Sequence, residues 1–436
     1  MKIARERLGL SRYNYMRRIA EEKGLDPKTI RESNNNVLRW ESGTRPESET
    51  QYAIARIHGM SVNSVDQLGW PDFLHLADGD ALLTAPWTTT GCVDALRSLR
   101  WTTPLRPCLI VTGRALAAFI DRALSAVAIA PTPVRGACHR SLAIEDAIDA
   151  LANDLDNVWR TGDPLPVLPF ARANLHVTIG LLATKNADPA ARAQLLLTAI
   201  HFAHLCCNTE RDLGEDALAE QYGLFAVRAA ASTGSRLHTA ACLITLAWHH
   251  AEIGDPRDAH QLVSAAQRIA PHRAAPRLSA VIQAREAGVH AQLKDTTASR
   301  QALDRAAKAL ADSTADDVTP WGDHIDEEWL SRCTGQVLLK LGEPKRALQY
   351  YSPLIDDLPP RTSTQPLLYT AKDLLNVVDA QFALGDIDAA VHGTHRAAAL
   401  FPQMPAGLVR QYRRRLEPHC KAPAVRDLLE LLTDSA

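Results

Sequence analysis

Apolar residues along the first seventy or so positions recur at helical spacing. Ile3, Leu8 and Leu10 lead the pattern, and Ser11 is a candidate N-cap for a helix carrying Tyr15, Met16 and Ile19 on one face. That helix should end near Gly24. Asp26 followed by Pro27 has the cap-then-proline order of a new start, predicting a helical segment that runs to Glu41 and stops at Ser42-Gly43. After the turn TRPES, Tyr52, Ile54, Ala55 and Ile57 predict a fourth helix ending near Gly59, and Val62, Val65 and Leu68 a short fifth.

In the second half the pattern repeats. Five turns align as LGEDALA (213–219), IGDPRDA (253–259), LKDTTAS (293–299), LGEPKRA (341–347) and LGDIDAA (384–390). Gly214, Gly254, Gly342 and Gly385 share one position, with Lys294 in the third copy, and an acid follows each: Glu215, Asp255, Asp295, Glu343 and Asp386. Glycine there permits a left-handed exit from one helix, and the acid favours the start of the next. Small residues come next, at Ala219, Ala259, Ser299, Ala347 and Ala390, and further on stand Ala226, Ala266, Ala306, Leu354 and Ala397. Pro271, Pro359 and Pro402 fall where the second helix of a pair should stop. Helix pairs of this kind bury one face against their neighbours and should stack into a right-handed α-solenoid. A further pair is expected in 142–183.

Composition narrows the picture. At 436 residues the chain exceeds one core, and about 150 residues per domain suggests two or three. Hydrophobic residues at 46% and charged residues at 22% exclude a disordered chain, and abundant alanine with few aromatics favours closely packed helices, so the fold class expected is all-α. The cysteines at 92, 108, 138, 206, 207, 242, 333 and 420 are scattered without a CxxC pair, which reads as reduced core thiols. The opening MKIARERLGLSR carries charges where a secretory signal needs an apolar run, so a cytoplasmic location is expected. The apolar stretch 108–130 is interrupted by Arg114, Asp121 and Arg122, predicting a buried helix rather than a membrane span. Residues 1–60 hold twelve Lys and Arg against eight Asp and Glu, a net of +4 in a chain of net −2, which leaves −6 for the remainder. The basic end is the candidate for a polyanion partner.

Within that end lies NNNVLRWESGTRP (34–46). Five short helices, a tight turn before the third and a basic surface describe a helix-turn-helix unit. Val37 and Leu38 can anchor its recognition helix and Trp40 can lock it to its neighbours, leaving Asn34, Asn35, Asn36 and Arg39 exposed. Asn suits the N6/N7 edge of adenine and Arg the O6/N7 edge of guanine. Arg12, Lys28, Arg31 and Arg45 complete the set expected to face double-stranded DNA. The alternative is a small helical protein-interaction domain with a polar Asn turn.

The stretch VLRWESGTRPESE resembles the end of the recognition helix and the following turn in the XRE/Cro-like helix-turn-helix family, through Arg39, Trp40, Glu41, Gly43 and Pro46. Arg12 stands where that family usually has Gln, and the segment between Ile19 and Val37 is longer than the family's. The Gly-acid turns resemble tetratricopeptide repeats over roughly 199–402, with anchor spacings of 40, 40, 48 and 43 residues against about 34 in the standard repeat. PWTTTGCVDALRSL (86–99) resembles the connecting region of actinobacterial regulators that join these two parts.

The resemblance implies a DNA-binding domain over 1–75, a helical linker over 76–140 and a repeat domain over 141–436. It also implies a transcriptional regulator, probing two half-sites as a homodimer, whose repeats bind a small-molecule or peptide signal on their inner side. In the expected register His201, His204 and Asn208 face inward in the first copy, and Ile244, Trp248 and Glu252 in the second. Trp329, Arg332, Gln336 and Lys340 do so in the fourth, and Lys372, Asp379 and Phe382 in the fifth. Such a mixture suits an extended peptide or a small molecule. The competing reading is a scaffold whose repeats and amino-terminal domain both contact protein. His201, His204 and the Cys206-Cys207 pair do not make a metal site, because adjacent cysteines point about 100° apart on a helix. Neither a phosphate-cradling nor a catalytic motif is present, so neither cofactor nor enzymatic activity is expected.

Overall fold

The computed structural model describes residues 1–31, 35–58, 62, 65–66, 69–71, 73–74, 81–99, 109, 111–129, 143–161, 166–183, 189–270, 275–314, 316–322, 324–352, 367–401 and 404–434, and among them every regular element is helical. The chain is all-α. At the amino end, α1 (Lys2–Arg7), α2 (Arg12–Glu22), α3 (Asn36–Glu41) and α4 (Ser48–Ile57) enclose a small core of Tyr15, Ile19, Val37, Ala53, Ile54 and Phe73. Ser11 caps α2, its Oγ accepting the Asn14 N–H at 3.2 Å, and Gly24 closes it at φ +71°. Tyr15 Oη and His58 Nε2 meet at 2.8 Å inside the core, tying α2 to the end of α4.

Two expectations change here. Residues 26–41 do not form one helix: a single 3-10 turn over Pro27–Thr29 ends in extended backbone at Ile30, and α3 starts only at Asn36. The run contains little apolar periodicity, and Ser and Asn are weak helix formers. Nor do Val37 and Leu38 both anchor α3. Val37 is fully buried, while Leu38, turned about 100° away, is 42% exposed. Val65 is buried and Val62 exposed; Gly59 and Leu68, like Asn34, lie outside the described residues.

The next three helices are α5 (Ala81–Thr84), α6 (Thr89–Ser98) and α7 (Gly113–Ile129). As its pattern predicted, α7 buries Leu116, Phe119, Ile120 and Ala123. These helices belong to one core that runs continuously from Leu82 to Val289. The fully buried Arg228 donates from Nε to Leu82 O at 2.8 Å and from Nη1 to Ala85 O at 2.8 Å and Pro86 O at 3.0 Å. At the start of α7, Val111 N–H donates to Glu220 Oε1 and Gly113 N–H to Asp258 Oδ2, each at 3.0 Å. The opposite side of α7 meets the amino-terminal core through Ala118.

The expected pair in 142–183 is present as α8 (Ala143–Thr161) and α9 (Val167–Leu182). Five hairpins follow: α10 (Pro189–Leu213) with α11 (Asp216–Ser232), α12 (Arg236–Ile253) with α13 (Pro256–Ile269), and α14 (Pro276–Gln292) with α15 (Thr296–Ala311). The last two are α16 (Glu327–Lys340) with α17 (Pro344–Gln349) and α18 (Leu367–Leu384) with α19 (Ile387–Ala398), after which α20 (Ala406–Leu416) and α21 (Pro423–Asp434) end the chain. Each hairpin packs on the next, and the run returns on itself, with α18 touching α8 and α20 touching α10.

Four of the five turns leave the helix through positive φ, at Gly214, Lys294, Gly342 and Gly385. The following N–H reaches five residues back, as in Glu215 N–H to Glu210 O at 2.8 Å, which satisfies a carbonyl the helix leaves open. Gly254 departs from the expectation. Its φ is −109°, and the reason for glycine is space, since a Cβ there would stand 2.6 Å from Leu109 Cδ1. Asp255, Asp295 and Asp386 each cap the next helix with a side-chain oxygen, whereas Glu215 and Glu343, one methylene longer, form no such cap. Ala219, Ala259, Ser299, Ala347 and Ala390 are all fully buried, as are Ala266, Ala306 and Ala397. Leu354, Pro271, Pro359 and Pro402 lie outside the described residues.

Candidate nucleic-acid interface and ligand groove

Basic residues at the amino end fall into two groups. Arg5 Nε and Arg12 Nε bind the two oxygens of Glu41 at 2.8 and 2.7 Å, Lys23 pairs with Glu47, and Arg56 pairs with Glu22 at 3.3 Å. Burial alone would raise the Glu41 carboxyl, but the two guanidiniums outweigh it and hold it below its usual range. Lys28, Arg31, Arg39 and Arg45 are exposed and form no ion pair among the described residues. Asn35 is exposed at the start of α3 with no capping hydrogen bond from its side chain, and Asn36 is partly buried. Asn34 is outside the described residues.

The residues expected to face inward lie on the first helices of four hairpins, α10, α12, α16 and α18. His204 stacks on Trp321 with centroids 3.9 Å apart and planes 4° from parallel, and His201 and His238 flank the same indole. Asn208 is buried and its Nδ2 meets His204 Nε2 at 2.9 Å. Trp321 arrives from the connection between α15 and α16 with φ +54°. Burial, with His201 adding to it, brings the His238 imidazole down to about 4. On α10, burial pushes the Cys206 and Cys207 thiols up, that of Cys207 to about 12.

A second cluster surrounds Trp248. The guanidinium carbons of Arg211 and Arg285 lie 3.8 and 4.1 Å from its ring centroid, and Lys372 Nζ lies at 5.3 Å. Lys372 donates to Asp212 Oδ1 at 2.8 Å, which joins α18 to α10. Burial alone would raise the Glu252 carboxyl, but Lys372, Arg211, His249 and Arg285 outweigh it and hold it low. Trp248, Arg285, Cys333, Gln336 and Lys340 line a cavity of about 20 Å³. That is room for a single water. Burial lowers the Lys340 ammonium to about 8, with Arg285 pulling in the same direction and Glu252 and Cys333 opposing.

The inward residues read from the sequence therefore separate. Trp248, Glu252, Gln336, Lys340 and Lys372 come together, with Arg332 beside them and bound to Asp373 at 3.1 Å. His201, His204 and Asn208 form the second group. Ile244 is a core residue, and Trp329 packs with Ala280, Ala284 and Ile325. Asp379 pairs with Arg415 at 2.8 Å and Phe382 stacks on His419, both toward the carboxyl end. Sequence reasoning missed Arg211, Arg285 and Trp321. Arg285 lies on α14, from which no inward position was drawn. The 48-residue spacing between Ser299 and Ala347, the longest of the set, was the available signal for the inserted connection that carries Trp321.

Among the described residues no helix is long and apolar enough to cross a membrane, and no three His, Cys, Asp or Glu gather as metal ligands. Compared with known families and with curated proteins, the chain matches no family model and no curated sequence.

Proposed function

We propose that the chain is a sequence-specific DNA-binding transcriptional regulator, in which an amino-terminal helix-turn-helix reads duplex DNA and a tetratricopeptide-like solenoid senses a signalling ligand in the cytoplasm. One observation carries the reading. Near the amino end Arg5, Arg12, Lys23 and Arg56 are bound to carboxylates, while the exposed Lys28, Arg31, Arg39 and Arg45, on α3 and the segments next to it, form no ion pair among the described residues. Unpaired cations on the surface are what a phosphate backbone neutralises.

In this reading Arg39, Asn35 and Asn36 meet base edges, and the exposed Leu38 meets a thymine methyl. Lys28, Arg31 and Arg45 hold phosphates. Arg12, bound to Glu41, positions α3. A single unit of this size buries too little for strong specific binding, so a homodimer on two half-sites supplies the rest. The ligand shifts the population of hairpin arrangements, and α7 passes the change to the reading head.

The test is selection of bound sequences from a randomised duplex pool with the full-length protein at near-physiological salt. A two-fold symmetric motif is expected, bound less tightly as salt rises, with Arg39→Ala costing about 1–3 kcal/mol at one base position. No enriched sequence, or an affinity indifferent to salt, overturns the reading in favour of a protein-binding scaffold.

A further inference from the structure

The charges around Trp248 do not balance. Asp212 is shared by Lys372 at 2.8 Å and Arg211 at 3.8 Å, and Arg332 holds both Asp373 at 3.1 Å and the exposed Glu328 at 2.6 Å. Arg285 and Lys340 are left with one carboxylate, Glu252, which Arg211 also approaches. Arg211 is the extreme case: its side chain is 2% exposed, its Nε is 3.8 Å from Asp212 and 3.9 Å from Glu252, and none of its nitrogens donates a hydrogen bond among the described residues. Arg285 stacks on Trp248 from the cavity wall, where Lys340 and Gln336 stand beside it, and neither cation forms an ion pair among the described residues. Arg211 is buried and Arg285 and Lys340 are half-buried, and drawing surplus cations away from water is costly unless an anion joins them. A chain that keeps this arrangement is built to receive one.

We infer that the cavity between α12, α14 and α16 is an oxyanion-binding site, in which Arg285 and Lys340 hold a carboxylate or phosphate group of a small ligand and Gln336 donates to it, with Arg211 adding its field across the indole of Trp248. The cavity admits one oxygen as it stands, so the group enters as the Arg285 and Lys340 side chains swing to bracket it. Guanidinium and ammonium donors together suit an oxyanion better than a neutral amide, for which charge-free donors serve. The inference rests on the reading of the hairpins as the sensing part and gives the ligand a chemical class, an acid.

The experiment is a thermal melt of the full-length protein at pH 7 titrated with sodium phosphate, and separately with sodium succinate, against sodium chloride of equal ionic strength. Expected is a saturable rise in Tm of roughly 3 °C or more with at least one of them. Arg285→Gln and Lys340→Gln should abolish it, while Arg346→Gln, on an exposed pair with Glu343, should leave it intact. Response to phosphate alone assigns a phosphoryl group, and to succinate alone a carboxylate. Phosphate also stabilises proteins by exclusion from their surface, so a rise that survives both cavity variants overturns the site, as does no rise with either probe. Lys340→Gln removes an enclosed charge, and its fold is checked by its own melt. The readout contains no DNA: a protein that selects a duplex but ignores both anions loses the site and keeps the regulator reading, and the converse result does the opposite.

Discussion

Arg12 and Glu41 meet at 2.7 Å, joining the first residue of α2 to the last of α3, and Arg5 of α1 takes the other oxygen of the same carboxylate. One acid thus holds three short helices in register. Arg5 is 8% exposed and Arg12 47%, so the two pairs differ in worth. Glu41→Ala leaves the enclosed Arg5 only the half-exposed Glu6 and the Leu10 carbonyl and should cost about 2–4 kcal/mol of local stability; Arg12→Ala should cost under about 1 kcal/mol. Hydrogen exchange over residues 1–58 measures both, and equal effects would show that Arg5 is not the partner that matters.

Arg228 fixes the connecting region to the repeats through three carbonyls, at Leu82, Ala85 and Pro86. Arg228→Met keeps much of the volume but leaves these acceptors without their donor, and should cost about 3–5 kcal/mol. Urea unfolding of the full chain followed by circular dichroism reads the loss, and a change under about 1 kcal/mol would mean that water replaces the guanidinium.

Lys294 and Gly254 make opposite predictions about glycine. Lys294 holds φ +64°, a conformation that costs an L-residue about 1 kcal/mol, so Lys294→Gly should stabilise by about 0.5–1 kcal/mol. Gly254 has ordinary φ, yet Gly254→Ala would drive a methyl into Leu109 and His250 O, and should destabilise by about 1–3 kcal/mol. Melting temperatures of the two variants side by side decide it.

His238, beside Trp321, gives the fold a pH dependence. Its imidazole titrates at about 4 in the fold against 6.5 ordinarily. Between those values the unfolded chain binds more protons than the folded one, so stability is full above about 6.5 and is lost as pH falls toward about 4. His238→Gln should lose less on going from pH 7 to pH 4.5, by on the order of 2 kcal/mol. Parallel urea titrations at the two pH values test this, and identical losses would place the sensitivity elsewhere.

Local signals were legible where backbone chemistry decides them. The Ser11 cap, the exits at Gly214, Gly342 and Gly385, and the small buried residues after each turn all follow from preferences of single residues. What stayed hidden depends on partners distant in sequence. Nothing near Gly254 announces that Leu109 presses against it, and nothing near Arg211 or Arg285 announces that both will share the ring of Trp248. Leu38 failed differently: two adjacent apolar residues cannot both face one core from a helix, and Val37 took the place. For the candidate site, register singled out residues such as Trp248 and Lys372 one by one but not which would meet, because the return of α18 toward α8 is a property of the whole stack.

The start of α7 is held by Glu220 from one hairpin and Asp258 from the next. It therefore behaves as a strut pinned at two points on different bodies. If the angle between those hairpins alters, both attachments cannot keep their length while the strut stays still, so it must tilt. Ala118, five residues into α7 and already against the amino-terminal core, lies on the part that moves. A change of angle between the two hairpins would thereby shift the surface on which the amino-terminal core rests.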